Sequence, residues 1–170
     1  TGTVGVAAVT AGPGVTNGVS ALAQASFSGA PLVAIGGRAP TTRWGQGSLQ
    51  ELDQPPILAP VTKSASTIVG VERIGTEGEA AFTLARSAHR GPVFLDIAMD
   101  HFFSRATLPR AERTPAQSDR PPDPDAIAAV VRELSAADRP VLVIGTDVWA
   151  DGAEAAALSS IASPPASTLE

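Results

Sequence analysis

A short apolar run, VGVAAV (residues 4–9), passes through Thr10 and Ala11 into Gly12-Pro13-Gly14 and at once into VTNGVSALAQA (residues 15–25). No other feature restricts the fold of this chain as much. The run is small and β-branched, the composition of a buried strand. Glycine and proline interrupt regular structure, so something after this strand needs a tight, fixed backbone. Val15, Val19, Leu22 and Ala23 then recur at helical spacing up to Phe27, and Ser28-Gly29 ends that helix. PLVAIGG (residues 31–37) reads as a second buried strand. Strand, helix and strand in that order predict a right-handed crossover in a parallel sheet.

Residues 38–65 follow no period. So long a connection in a compact domain is a functional loop or a disordered one. It carries Trp44, Gln46, Gln50, Glu51 and Asp53, which points to a site, with a solvated lid as the alternative. Thr76 and Glu79 match a capping box, after which Ala81, Leu84, Ala85 and Ala88 line one helix face. Gly91 ends that helix, and PVFLDIAM (residues 92–99) is a third buried strand. His89 and His101 read as structural, as do Asp96 and Asp100, because no nearby ligand set completes a metal site.

Beyond Phe103 the composition turns to Pro, Arg and Ser, the marks of an extended linker. Asp123 caps a new helix with Pro124 at its first position, and Ile127, Val130, Val131 and Leu134 make its expected buried face. RPVLVIGTDV (residues 139–148) is an expected strand, and residues 153–162 an expected helix of small residues. The fold class is therefore α/β, a doubly wound parallel sheet followed by the start of a second α/β pattern. The expected boundaries are 1–104, a linker at 105–122, and 123–170, the last too small to bury its own apolar faces.

Composition narrows the function classes. Hydrophobic residues make up 44% of 170, enough for a core. The net charge of -5 and the lack of any Lys/Arg run argue against nucleic acid. There is no cysteine, so disulfides and Cys-ligated zinc are excluded; this fits a cytoplasmic protein. No apolar run approaches the roughly 20 residues of a membrane helix. The first residues carry no basic segment, so they do not read as a signal peptide.

TGTVGVAAVTAGPGVTNGVSALAQASFSGAPLVAIGG, then GQGSLQELDQ with PVTK, then RGPVFLDIAMD resemble, in order, the pyrimidine-binding domain of thiamine diphosphate enzymes. Within that family the chain resembles the acetolactate synthase large subunit and its relatives, including oxalyl-CoA decarboxylase and 2-hydroxyacyl-CoA lyase. PDPDAIAAVVRELSAADRPVLVIGTDVW resembles the opening of their central domain, which implies a second, Rossmann-like α/β domain of a kind that usually does not bind NAD. The resemblance implies that the Gly12-Pro13-Gly14 turn presents backbone to the aminopyrimidine ring, its glycines permitting close approach and its proline fixing the turn. It places Pro13 and Asn17 in the cofactor pocket, Gln50 beside thiazolium and substrate, and Lys63 at the mouth of the substrate channel. Leu49 stands where acetolactate synthases often have an aromatic residue, which leaves the substrate open.

The implied activity is that of an enzyme joining or cleaving 2-keto acid units, carboligation of pyruvate with decarboxylation, in branched-chain amino acid biosynthesis. A decarboxylase or lyase acting on acyl-CoA is the alternative. The implied cofactors are thiamine diphosphate and Mg2+, with FAD common in acetolactate synthases and variable among relatives. The implied parent is at least a homodimer and admits a regulatory subunit. Two family elements are missing from the sequence: the catalytic glutamate upstream of the first strand, and the Gly-Asp-Gly motif that holds Mg2+ and diphosphate. The chain is expected to be a middle piece of a longer enzyme and inert alone. A non-catalytic ligand-binding or degenerate α/β fragment is the other class. Gly12, Gly14 and Gly18 miss the dinucleotide pattern Gly-x-Gly-x-x-Gly by one position, which weakens an NAD reading.

Overall fold

The structure, a computed structural model, describes residues 3–107 and 123–141, and beyond them 143–145, 148, 152, 153, 155, 156, 158 and 159. The chain divides into two compact units after residue 116. In the first, four parallel strands form one sheet: β1 (Gly5–Val9), β2 (Leu32–Arg38), β3 (Ser64–Ile68) and β4 (Pro92–Ala98), in the order β1-β2-β4-β3. The register runs Ala7 to Ala34 to Phe94 to Ala65 across the sheet.

Helices cover both faces, so the doubly wound α/β architecture holds. On one face lie α1 (Pro13–Asn17), α2 (Val19–Phe27) and α3 (Pro55–Leu58), packing Val15, Leu22 and Leu58 against Ala34 and Phe94. On the other, α4 (Ile74–Arg86) sets Ala81 and Ala85 against Val33, Ile68, Val93, Leu95 and Ile97. The small residues of α4 let the helix lie close to the sheet. β4, central and paired on both edges, is buried along its whole length, as a parallel strand between two helical layers must be.

Several expectations need correction. β1 is not buried: it pairs only with β2, at the sheet edge, and Val6 and Val9 are exposed. The helix after the turn is broken at Gly18, so Asn17 ends α1 instead of standing near the start of a long helix. Part of the supposed long loop is β3, whose residues SASTI carry too little apolar signal to read as a strand. Thr76 does not cap α4. A 3-10 turn, Val71–Arg73, runs straight into the helix, which therefore starts at Ile74, and the Thr76 hydroxyl donates to the Arg73 carbonyl.

In the second unit α5 (Pro124–Ala136) has the expected cap: the Asp123 carboxylate accepts from the Asp125 amide at 3.0 Å, with Pro124 at the first position. Its expected buried face is exposed at Ile127, Val130, Val131 and Leu134. Of the expected strand at 139–148, the described residues 141 and 143–145 join no ladder, and Val141 and Val143 are exposed. Much of the linker at 105–122 and of the helix at 153–162 lies outside the described residues. Among the described residues no helix is long and apolar enough to cross a membrane.

Candidate functional site

Ligands of open parallel sheets bind beyond the carboxyl ends of the strands, and here that edge carries the turn. Gly12 has φ 59°, a left-handed conformation that favours glycine. A Cβ on it would sit 2.9 Å from the Gln50 carbonyl oxygen. A Cβ on Gly14 would sit 2.5 Å from the Thr10 methyl. Gly12 is thus required by the chain's own backbone, while a Cβ at Gly14 would make the Thr10 side chain shift. Pro13 follows at the first position of α1, where its missing N–H leaves no bond unmade. Pro13 and Asn17 are exposed, and Gly12 is buried behind them.

Gln50 lies against this turn. It has φ 61°, the one positive φ outside glycine among the described residues. Such a backbone costs on the order of 1–3 kcal/mol and persists only where its surroundings enforce it. Its exposed side chain accepts a hydrogen bond from the Thr10 hydroxyl at 3.3 Å. The loop behind it is ordered by Glu51, whose carboxylate accepts from the amides of Gly45 (2.9 Å) and Ser48 (3.1 Å). This is a built loop, not a loose lid.

Beneath the turn lies a polar network that the sequence reading missed. Gln54 is fully buried, and its carboxamide oxygen accepts from the Gly12 amide at 2.8 Å. Its nitrogen donates to the Gly37 carbonyl (2.9 Å) and to Asp96 Oδ2 (3.2 Å). Arg38 donates to the same Asp96 oxygen at 3.0 Å and to the Thr67 hydroxyl at 3.2 Å. The Arg38 guanidinium also stacks on Trp44, 3.5 Å from the ring centre, a cation–π contact that fixes the start of the loop. Asp53, mostly exposed, stands 3.7 Å from Arg38 and adds little. Asp96 is buried with its other oxygen, Oδ1, unpartnered. Gln54 bonds to a residue 42 positions away, and no local pattern marks it.

Lys63 stands apart from this group. It precedes β3, and its amide donates to the Pro92 carbonyl at the start of β4. That is the opposite edge of the sheet from the turn; five residues of strand at about 3.3 Å each separate the two edges. Its ammonium donates to the carbonyls of Leu84 (2.6 Å) and Ser87 (2.8 Å) and to the Ser87 hydroxyl (2.8 Å), at the end of α4. Burial lowers its pKa from the usual lysine value. The structure therefore brings together Gly12, Pro13, Gly14 and Gln50, with Asn17 at the end of the same short helix, and leaves Lys63 at the other edge.

Comparison with known proteins bears on what this edge does. Residues 1–57 match the family described as thiamine pyrophosphate enzyme, N-terminal TPP binding domain. That segment holds β1, the turn, β2 and the loop through Gln50 and Gln54. The chain is 47% identical over 158 residues to a probable acetolactate synthase of Mycobacterium bovis and equally to the acetolactate synthase large subunit IlvG of Mycobacterium tuberculosis. In each case 91% of this chain and 28% of the relative are covered. The chain belongs to the thiamine diphosphate enzyme family. A 2-hydroxyacyl-CoA lyase 2 of Danio rerio is 42% identical over 102 residues, 60% of this chain and 16% of the relative. The chain thus spans under a third of the length of these members of the thiamine diphosphate family, and its resemblance to the acetolactate synthases runs through both of its compact units.

Proposed function

We propose that this chain is the cofactor-facing part of an acetolactate synthase-like enzyme, which condenses 2-keto acids with loss of carbon dioxide. One observation carries the reading: 47% identity to acetolactate synthases over 91% of the chain. The match to 2-hydroxyacyl-CoA lyase 2 of Danio rerio, over 60% of the chain, makes acyl-CoA chemistry the second reading. In the same reading residues 1–104 are part of a pyrimidine-binding domain, 105–122 a linker, and 123–170 the start of a central domain.

The residues at the turn fit thiamine diphosphate by their chemistry. Gly12, Pro13, Gly14, Asn17 and Gln50 offer neutral backbone and carboxamide groups, with Pro13, Asn17 and Gln50 exposed and Gln50 bonded to Thr10, just before the turn. A flat, neutral, hydrogen-bonding aminopyrimidine suits such a set. Thiamine diphosphate, when bound, supplies the thiazolium that stabilises a carbanion. The chain's part is to bind and orient. The turn meets the ring with its backbone, and Gln50 aligns ring and substrate from the strained position in which the loop holds it. Among the described residues no three His, Asp or Glu side chains gather to hold a metal. In this reading Mg2+ and the diphosphate belong to another domain, in a cytoplasmic enzyme whose active sites each need two chains. Lys63 lies apart from this set, bonded to the end of α4.

The full-length protein, supplied with pyruvate, thiamine diphosphate and Mg2+, is expected to form acetolactate, and the 170-residue chain alone is expected to form none. Cleavage of a 2-hydroxyacyl-CoA without acetolactate formation would transfer the assignment to the lyases. Gln50→Ala and Asn17→Ala are expected to lower turnover tenfold or more without unfolding the protein. Full turnover in both would remove these residues from the site.

A further inference from the structure

Gln54 stands at the N-cap of α3 yet gives that helix no side-chain bond. Its carboxamide points instead beneath the turn, where all of its bonds go to other elements. The orientation is fixed by the partners. The Gly37 carbonyl and the Asp96 carboxylate oxygen accept, so the nitrogen must face them; the Gly12 amide donates, so the oxygen must face it. An apolar side chain of similar volume would fill the same space without the cost of burying a polar group. What it could not do is hold the Gly12 amide. That tie matters because the turn has few others. The Gly14 amide reaches the Ala11 carbonyl only at 3.4 Å, and Pro13 has no amide to give. At 2.8 Å, the Gln54 bond is the tightest tie on the turn.

The same side chain links the turn to the loop. Through Asp96 it meets Arg38, and through Arg38 the Trp44 ring. The loop returns to the turn at Gln50, whose carbonyl oxygen lies 2.9 Å from where a Cβ of Gly12 would be. Gly12 is thus held from below by Gln54 and from the side by Gln50, while Pro13 is left exposed.

We infer that Gln54 is a positioning residue: it fixes Gly12 so that the Gly12-Pro13-Gly14 turn, exposed at Pro13, meets the cofactor in one orientation. The inference rests on the reading of the turn as cofactor-facing. Gln54 touches neither cofactor nor substrate and acts through Gly12.

The test is Gln54→Met, which keeps the volume and removes the bonds. Amide hydrogen exchange is followed in the chain, and thiamine diphosphate affinity, with Mg2+, in the full-length protein. The Gly12 amide is expected to exchange at least tenfold faster while the Val33 and Leu95 amides of the central sheet keep their rates. Affinity for thiamine diphosphate is expected to fall about tenfold or more. Unchanged exchange at Gly12 overturns the inference, as does an equal quickening of Gly12, Val33 and Leu95, which would make Gln54 a space-filling residue only. Selective loosening of Gly12 with unaltered affinity overturns the link to the cofactor and leaves the proposed function standing. A wild-type protein that binds no thiamine diphosphate overturns the proposed function, while the exchange rates still decide whether Gln54 holds the turn. Should the variant not fold, the wild type is titrated with thiamine diphosphate. The Gly12 amide and Gln54 carboxamide resonances are expected to shift together, and movement of Gly12 alone refutes the coupling.

Discussion

The two edges of the sheet use polar groups in different ways. At the edge where the strands begin, Lys63 meets Leu84 and Ser87 and finishes α4. Its partners lie within one turn of helix end. At the edge where the strands finish, Gly12, Gly37, Arg38, Gln54, Thr67 and Asp96 come from three strands and two connections into one network, centred on the buried Asp96 carboxylate and Gln54 carboxamide, with Thr67 joined through Arg38. Burying such groups is unfavourable unless every bond is met, and one oxygen of Asp96 has none. A helix end needs only any donor. A turn that must present its backbone in one way needs a particular one.

If that contrast is right, the largest loss lies at Asp96. Asp96→Ala removes the acceptor shared by Arg38 and Gln54 and leaves a nearly buried guanidinium, 13% exposed, without its charge partner. Stability is expected to fall by about 3–5 kcal/mol, read as a shift of the urea midpoint. A loss below about 1 kcal/mol would mean that the network is not holding the edge together. Gly12→Ala comes next. It forces alanine into φ 59° and drives a Cβ to 2.9 Å from the Gln50 carbonyl oxygen, expected to cost about 1–3 kcal/mol. Cofactor affinity should fall more than this modest destabilisation explains, and calorimetric titration of the folded variant separates the two.

The two edges were not equally legible in the sequence. The strand, the Gly-Pro-Gly turn and the following helix were readable because glycine and proline act locally, as was the Asp123 cap with Pro124 behind it. β4 was readable because a strand buried on both faces is apolar throughout. β3 was not: SASTI lies at an edge, half-buried, where small polar residues suffice. Periodicity showed which residues of α5 share a face, but burial needs a second surface, and Ile127 and Leu134 remain exposed. At the site, Gln50 was found through resemblance, and its φ of 61° has no sequence signal. Gln54 was invisible because its meaning lies 42 residues away. Lys63 was placed by resemblance near a channel; no local pattern marks its bonds to Leu84 and Ser87 at the end of α4.

Lys63→Met sharpens the comparison from the other edge. It keeps the aliphatic stem and removes a cation from a helix C-terminus, an interaction of about 0.3–1 kcal/mol, rising to about 2 where partly buried. Stability is expected to fall within that range, with thiamine diphosphate affinity and turnover unaltered. A tenfold fall in turnover with little loss of stability would return Lys63 to the substrate channel. Because burial depresses the folded pKa of Lys63 below its unfolded value of 10.5, the unfolded chain binds more protons between the two values. The wild type should therefore gain slightly in stability as pH rises through that window, and Lys63→Met should lack the gain.

The smallest effect is expected at Asp100, just past β4 on the same edge as the turn. Its carboxylate accepts from the Thr41 hydroxyl and, at 3.1 Å, from the Thr41 amide, tying the loop after β2 to the end of β4. The Thr41 hydroxyl is the main cause that holds the Asp100 carboxyl below the usual value of 3.8, against a smaller upward push from burial. A depressed carboxylate pKa stabilises the fold above the unfolded value, and that stability is lost as pH falls through the folded value. Urea melts from pH 6 down to pH 2 should thus show wild type and Asp100→Asn converging at the acid end. The gap at pH 6 should stay below about 1 kcal/mol, since the pair is largely solvated. Thr41→Val should reproduce the same convergence, because it removes the main cause of the shift from the other side. Were the gap to persist undiminished at pH 2, Asp100 would be acting through packing and not through its charge, and the polar ties of this edge would stop at Asp96.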